Sequence, residues 1–227
     1  MAPHAIVSYD DTQNDHDALM LGGLLRDAGA DLTLAYVRHA VHRQPDEEQL
    51  SQQEADALLT RGAQWLDDQY IERRVVVSPS TGEGLAWLAE REQANIIVFG
   101  SDYRTRSGHV SIGRSAQTLV EGGPTALALA PAGYAAAEPD VRTIGVLTGC
   151  ADEVAIETAF SLAEGLQATV VDANRGVDLL VAGSRQEARD GRVMLTSRAH
   201  NAIEEASCPV LIVARGVRLS FDSLVTV

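Results

Sequence analysis

Apolar and polar positions alternate along this chain in two recurring forms. Short apolar runs bounded by glycine, proline or polar residues alternate with longer stretches whose apolar residues recur every three or four positions. The first form predicts buried strands and the second amphipathic helices. Strands are expected at Ala5–Tyr9, Leu32–Val37, Val75–Val77, Ile96–Phe99 and Ala126–Ala130. Helices are expected at 13–26, 55–69 and 80–92, and again from Ser115 to the Gly122-Gly123-Pro124 stop. Thr12 or Asp11 is the expected cap of the first helix. Residues 44–54 read as a loop or a helix start. Trp65 and Trp87 fall at core-facing helical spacing and read as packing residues.

The pattern then repeats. Val181-Ala182-Gly183-Ser184 follows Val98-Phe99-Gly100-Ser101 by 83 residues, and Asp190-Gly191-Arg192-Val193 follows Ser107-Gly108-His109-Val110 by the same interval. Pro209 to Ala214 matches the run from Pro124 to Ala130 after a short gap. Repetition on this scale means two copies of one unit. Strands alternating with helices give an α/β fold with an open parallel sheet. The expected order is 3-2-1-4-5, five strands per complete copy. Strands 1 and 4 are then neighbours that the chain leaves in opposite directions. Their carboxyl ends form the switch point where such sheets bind ligands, which brings Asp10 and Gly100 to one crevice.

The second copy is truncated. Its strands are expected at Thr143–Leu147, Ala168–Val171, Val177–Val181 and Pro209–Val213, with a helix at Glu153–Glu164 and another at Arg198–Glu205. The few residues between its second strand and Val177 cannot hold a helical crossover. Its middle helices and third strand are missing, and the direction of its second strand stays open. The expected division is 1–133 for a complete domain, 134–140 for a linker, 141–217 for the truncated domain and 218–227 for a tail. That tail adds an edge strand or lies on a partner.

Charge narrows the functions. The net charge of −14 argues against nonspecific nucleic-acid binding, which needs a basic footprint. All 18 basic residues are arginine, so mechanisms that depend on a lysine are excluded. No apolar run reaches the roughly 20 residues that span a bilayer, and no signal peptide is evident, so a cytoplasmic location is expected. Cys150 and Cys208 read as reduced and structural.

Three stretches together resemble a known family. They are Ile6-Val7-Ser8-Tyr9-Asp10-Asp11-Thr12, Ala94-Asn95-Ile96-Ile97-Val98-Phe99-Gly100-Ser101, and Pro209-Val210-Leu211-Ile212-Val213 after Cys208. The chain is similar here to the universal stress protein family in its tandem two-domain form. The resemblance implies the adenine nucleotide alpha hydrolase-like version of the sheet. It also implies a stress-response module in the cytoplasm, pseudo-dimer packing between the copies, and a homodimer formed through the last strands. One branch of that family binds ATP through Gly-x-x-Gly followed nine residues later by Gly-Ser/Thr, where glycines let backbone N–H groups approach phosphate. Gly100 and Gly113 match. Tyr103 replaces the middle glycine, Arg114 takes the Ser/Thr place, and Ser115 comes one residue late. The second copy departs further, with Gln186 and Thr196 in place of two glycines.

Two readings stay open for the first copy. In one, Ser8, Asp10 and the Val37 backbone hold adenosine. The Gly113–Ser115 amides with Arg104, Arg106, Arg114 and His109 then hold the phosphates of ATP with Mg²⁺. In the other, Tyr103 fills the cradle and the domain is a nucleotide-free interaction scaffold. A weak nucleotide hydrolase is a third possibility, with Asp10 or His109 activating water. No catalytic motif and no metal motif is assigned. Asp15-His16-Asp17 reads as a solvated helix face, because consecutive helical residues point in different directions. His39 and His42, with Asp10, offer a divalent-metal set that reads more simply as a loop. Asp46-Glu47-Glu48 reads as solvated surface.

Overall fold

A computed structural model describes residues 2–12, 14–39, 45–137, 140–147, 153–172 and 176–221, with the backbone alone for 45–50. The first copy runs β1 (His4–Ser8), α1 (Asp15–Asp27), β2 (Asp31–His39), α2 (Pro45–Trp65), β3 (Glu72–Ser78), α3 (Thr81–Glu92), β4 (Ile96–Gly100), α4 (Arg114–Val120) and β5 (Ala126–Ala130). The second runs β6 (Thr143–Val146), α5 (Glu153–Leu166), β7 (Thr169–Asp172), β8 (Leu179–Gly183), α6 (Ser197–Glu204) and β9 (Val210–Val213). A short 3-10 turn at Ala135–Ala137 lies between the copies.

The nine strands among the described residues join one sheet in the order β3-β2-β1-β4-β5-β9-β8-β6-β7. The first five places reproduce the expected 3-2-1-4-5. Every pairing is parallel except β5 with β9. Central strands are buried on both faces, as β4, β5 and β8 show, which explains their unbroken apolar runs. One layer of core lies between the sheet and α1, α2 and α5; the other lies under α3, α4 and α6. The open question about β7 has an answer: it pairs parallel to β6. Both flanking strands are short.

The copies meet about a local two-fold axis. Ala128 and Leu211 hold the same place in their copies and face each other across β5–β9. The Val110 N–H donates to the Ala206 carbonyl (3.1 Å), and its counterpart Val193 donates to Gly123 (3.0 Å). The same repetition governs the loops after β4 and β8. The Ser101 hydroxyl donates to the Ala130 carbonyl (2.7 Å) and accepts from the Ser111 N–H (3.0 Å). Ser184 repeats this with Val213 (2.8 Å) and Met194 (3.2 Å).

Several expectations need correction. Trp65 and Trp87 are not core residues: they are 39% and 51% exposed. Trp65 stacks on His16 at 5.4 Å, and Arg91 lies over Trp87 at 5.0 Å. Helical spacing alone does not separate a core position from one at the margin of the buried stripe. Of the two readings of 44–54, the helix start holds from Pro45, and α2 ends at Trp65 rather than at residue 69. Between the copies the chain is held against α1. Buried Asp17 accepts from the Gly133 and Ala135 N–H groups, both at 2.8 Å, and Tyr134 is buried. Asp15-His16-Asp17 is therefore not a solvated face; each residue fixes a different neighbour. Cys208 is a half-buried free thiol, which burial and then Asp178 push up to about 11. Cys150, His42 and the 222–227 part of the tail lie outside the described residues.

Candidate functional site at the β1–β4 switch point

The carboxyl ends of β1 and β4 meet where the strand order predicts. The turn after β1 is tightly built. Asp11 adopts a left-handed conformation (φ 63°), which an aspartate tolerates better than most residues. Its carboxylate accepts from the Tyr9 hydroxyl (2.8 Å) and from the Arg61 Nε and Nη2 (2.9 and 2.7 Å). The Arg61 guanidinium, then the Tyr9 hydroxyl, hold the Asp11 carboxyl below the usual range. Burial, then Asp11, push Tyr9 up. The turn is thereby clamped to α2.

Asp15 closes the same turn from the other side. Its carboxylate Oδ2 accepts from the Asp10 and Thr12 N–H groups at 2.8 and 2.9 Å. Burial, then a hydrogen bond with the Asp10 carboxyl, push the Asp15 carboxyl up to about 8. Neither Asp11 nor Thr12 caps α1, because Asp11 is engaged by Tyr9 and Arg61. Asn14 is the N-cap residue by position, yet its side chain makes no cap bond. Its Nδ2 instead donates to the Ser101 and Asp102 carbonyls at 2.9 and 3.0 Å. A Cβ on Gly100 would fall 2.2 Å from the Asn14 carbonyl oxygen, so this approach requires glycine.

The expected site residues divide into those brought together and those turned outward. Ser8 ends β1, and exposed Asp10 lies two residues beyond it in the turn. Val37 lies two residues beyond the last β1 partner, Ala35, on a β2 that continues to His39. The Val37 side chain is buried toward α3, so only its backbone can face the crevice. His39 contacts the Pro79 carbonyl through Nδ1 (3.1 Å). Across the crevice, Gly113 precedes α4 with nothing nearer its Cβ position than Asp102, at 3.9 Å. Tyr103 points to solvent, 62% exposed, with the Arg104 guanidinium over its ring at 5.0 Å. Arg104, Arg106 and Arg114 are exposed, and His109 is half-buried, with its backbone tied to Ala132. The Ser115 carbonyl accepts from Thr118, which leaves its half-buried side chain at the first turn of α4.

Asn14, Asp15 and Arg61 are structural members of this site that the sequence did not announce. Asn14 and Asp15 lie one to five residues from named positions, but only the fold shows that they bridge the turn and the loop. Arg61 comes from a helix 50 residues away.

A mostly parallel α/β sheet with a clamped turn and an arginine-bearing loop at its switch point defines a class by its architecture, the doubly wound α/β proteins. Comparison with known proteins narrows this. The family model described as the Universal stress protein family matches residues 168–214. No curated protein matches the chain. Among solved structures, a universal stress protein from Archaeoglobus fulgidus DSM 4304 superimposes with a TM-score of 0.68 at 12% identity, covering 94% of this chain and 98% of that one. A candidate universal stress protein of Pseudomonas aeruginosa UCBPP-PA14 gives 0.64 at 12% identity, with 93% of each chain covered. The chain shares the fold of these structures along nearly its whole length, and residues 168–214 match the family's sequence pattern. The sequence match falls on the truncated copy, where β7, β8 and β9 lie close together in the chain.

Proposed function

We propose that the first copy binds an adenine nucleotide with Mg²⁺ in the β1–β4 crevice, and that the protein acts as a nucleotide-responsive stress module in the cytoplasm. The observation that carries this reading is the open approach to Gly113. Tyr103, the residue best placed by sequence to fill the cradle, is turned to solvent. The Gly113 N–H donates to the Ser111 carbonyl (3.0 Å), so the Arg114 and Ser115 amides at the start of α4 are the ones left for phosphate, with Arg104, Arg106 and Arg114 supplying positive charge. Asp10 and the Val37 backbone lie on the adenosine side. Mg²⁺ bound with the nucleotide would offset part of the phosphate charge in an acidic chain. The second copy has Thr196 where the first has Gly113, and its Oγ already caps α6 at Ala199, so one nucleotide per chain is expected.

One observation favours a nucleotide-free scaffold instead: Asn14 ties the two loops together across the crevice. The test is direct. Protein purified without added nucleotide is denatured and the supernatant assayed for adenine nucleotide, for the wild type and Gly113→Val. Nucleotide from the wild type alone supports the proposal. No nucleotide, with no binding when Mg-ATP is restored, leaves the scaffold.

A further inference from the structure

A cavity of about 440 Å³ opens between α4 of the first copy and α6 of the second. Backbone from both copies closes it: the Leu195 N–H donates to the Val120 carbonyl (3.3 Å), and Met194 bridges to Glu121. Arg185, from the loop after β8, lines it. Its main chain is fixed, with the N–H donating to the Met194 carbonyl (2.8 Å). Its side chain is not satisfied: the Nε is buried without a hydrogen-bond partner. Acids on the same loop and helices have other partners. Glu121 accepts from Gln117 (2.5 Å), Asp190 pairs with Arg215 (3.5 Å), and Glu204 lies 3.6 Å from His200. In the first copy the same place is Asp102, whose carboxylate accepts from the Arg104 N–H (3.0 Å). The second copy thus carries an unpaired cation where the first carries a self-satisfied acid. A buried donor left without a partner costs stability unless something else satisfies it.

We propose that this seam cavity binds the phosphate group of a small phosphorylated metabolite, with Arg185 as its anchor. A guanidinium stays charged and presents a planar fork that matches phosphate oxygens. Further donors line the cavity from two helices: the Ser197 hydroxyl, the His200 ring and the Asn201 amide on α6, and on α4 the Gln117 amide, which has a second hydrogen to give. Donors on both walls suit a tetrahedral phosphate better than a planar carboxylate. The end of α6 is not the donor, because the Thr196 hydroxyl accepts from the Ala199 N–H (3.1 Å). Recognition here is by side chains of two facing helices, unlike the backbone cradle beside Gly113. The cavity is larger than a phosphate, and Val120 and Met194 give it an apolar wall, so it has room for a small organic group. Both copies build it, so the site exists only in the tandem chain. It stands whether or not the first copy binds nucleotide.

The experiment follows line broadening of inorganic phosphate by phosphorus NMR, and of acetate by proton NMR, at equal ionic strength. It uses the full chain as wild type, as Gly113→Val to block the first-copy crevice, and as Gly113→Val combined with Arg185→Met. Saturable broadening of phosphate is expected with the wild type and with Gly113→Val. Adding Arg185→Met should weaken it about tenfold or more, and acetate should show no saturable effect. Urea unfolding without phosphate should place the double variant at or above the midpoint of Gly113→Val, because the lost Nε–H has no partner. A lower midpoint would make Arg185 a structural residue and overturn the inference. Phosphate binding that disappears in Gly113→Val moves the anion to the β1–β4 crevice, and binding that survives in the double variant removes Arg185 as the anchor. Equal binding of acetate removes the phosphate assignment, and no saturable binding at all overturns the site.

Discussion

At the scale of single residues, the most telling group is Asp15. Its carboxyl keeps a proton in the folded chain up to about pH 8, whereas the ordinary value is 3.8. Between these values the folded chain binds more protons than the unfolded one. This contribution to stability is therefore complete below 3.8 and is lost as the pH rises to about 8. Thermal midpoints measured across that window should fall for the wild type. Asp15→Asn keeps an acceptor for the Asp10 and Thr12 amides and should flatten the slope; an unchanged slope would assign the effect to other groups. Gly100 gives a second prediction. Gly100→Ala sets a methyl against the backbone oxygen of Asn14, which cannot swing aside. A loss of about 1–3 kcal/mol in urea unfolding is expected, the usual cost of overpacking.

At the scale of elements, the repeated serine networks invite a paired comparison. Ser101→Ala and Ser184→Ala each remove a buried hydroxyl that joins a strand end to its loop. Each should cost about 1–3 kcal/mol, and only Ser101→Ala should also weaken nucleotide binding. Asp17→Ala leaves two amides between the copies without a partner and should cost about 3 kcal/mol by the same urea assay. These elements also show what a sequence can and cannot disclose. Strand runs such as Ile96–Phe99 and the 83-residue repeat were legible because burial on both faces leaves a continuous apolar signature. The switch point follows from strand order, which makes β1 and β4 parallel neighbours. Asp17 looked like surface because a lone acidic residue at a helix start carries no mark of the distant amides it will meet. Tyr103 could be named as a blocking residue, but its outward rotamer depends on Arg104 and on the loop path. Trp65 and Trp87 were misjudged because periodicity locates a stripe and not its margins.

At the scale of the whole molecule, one sheet runs unbroken through both copies, and the seam is reinforced by reciprocal bonds from Val110 and Val193. Calorimetry should therefore show a single cooperative unfolding transition; two separated transitions would mean that the copies are independent. No helix among the described residues is long and apolar enough to cross a membrane. The division of labour is unequal. The first copy keeps the complete five-strand sheet and the crevice, while the second supplies β9 to seal β5. That account is tested most directly by isothermal titration of Mg-ATP into the full chain and into Asp10→Ala. One site per wild-type chain, lost or strongly weakened in the variant, is the predicted result. Two sites per chain, binding indifferent to Asp10, or no heat at all would contradict it.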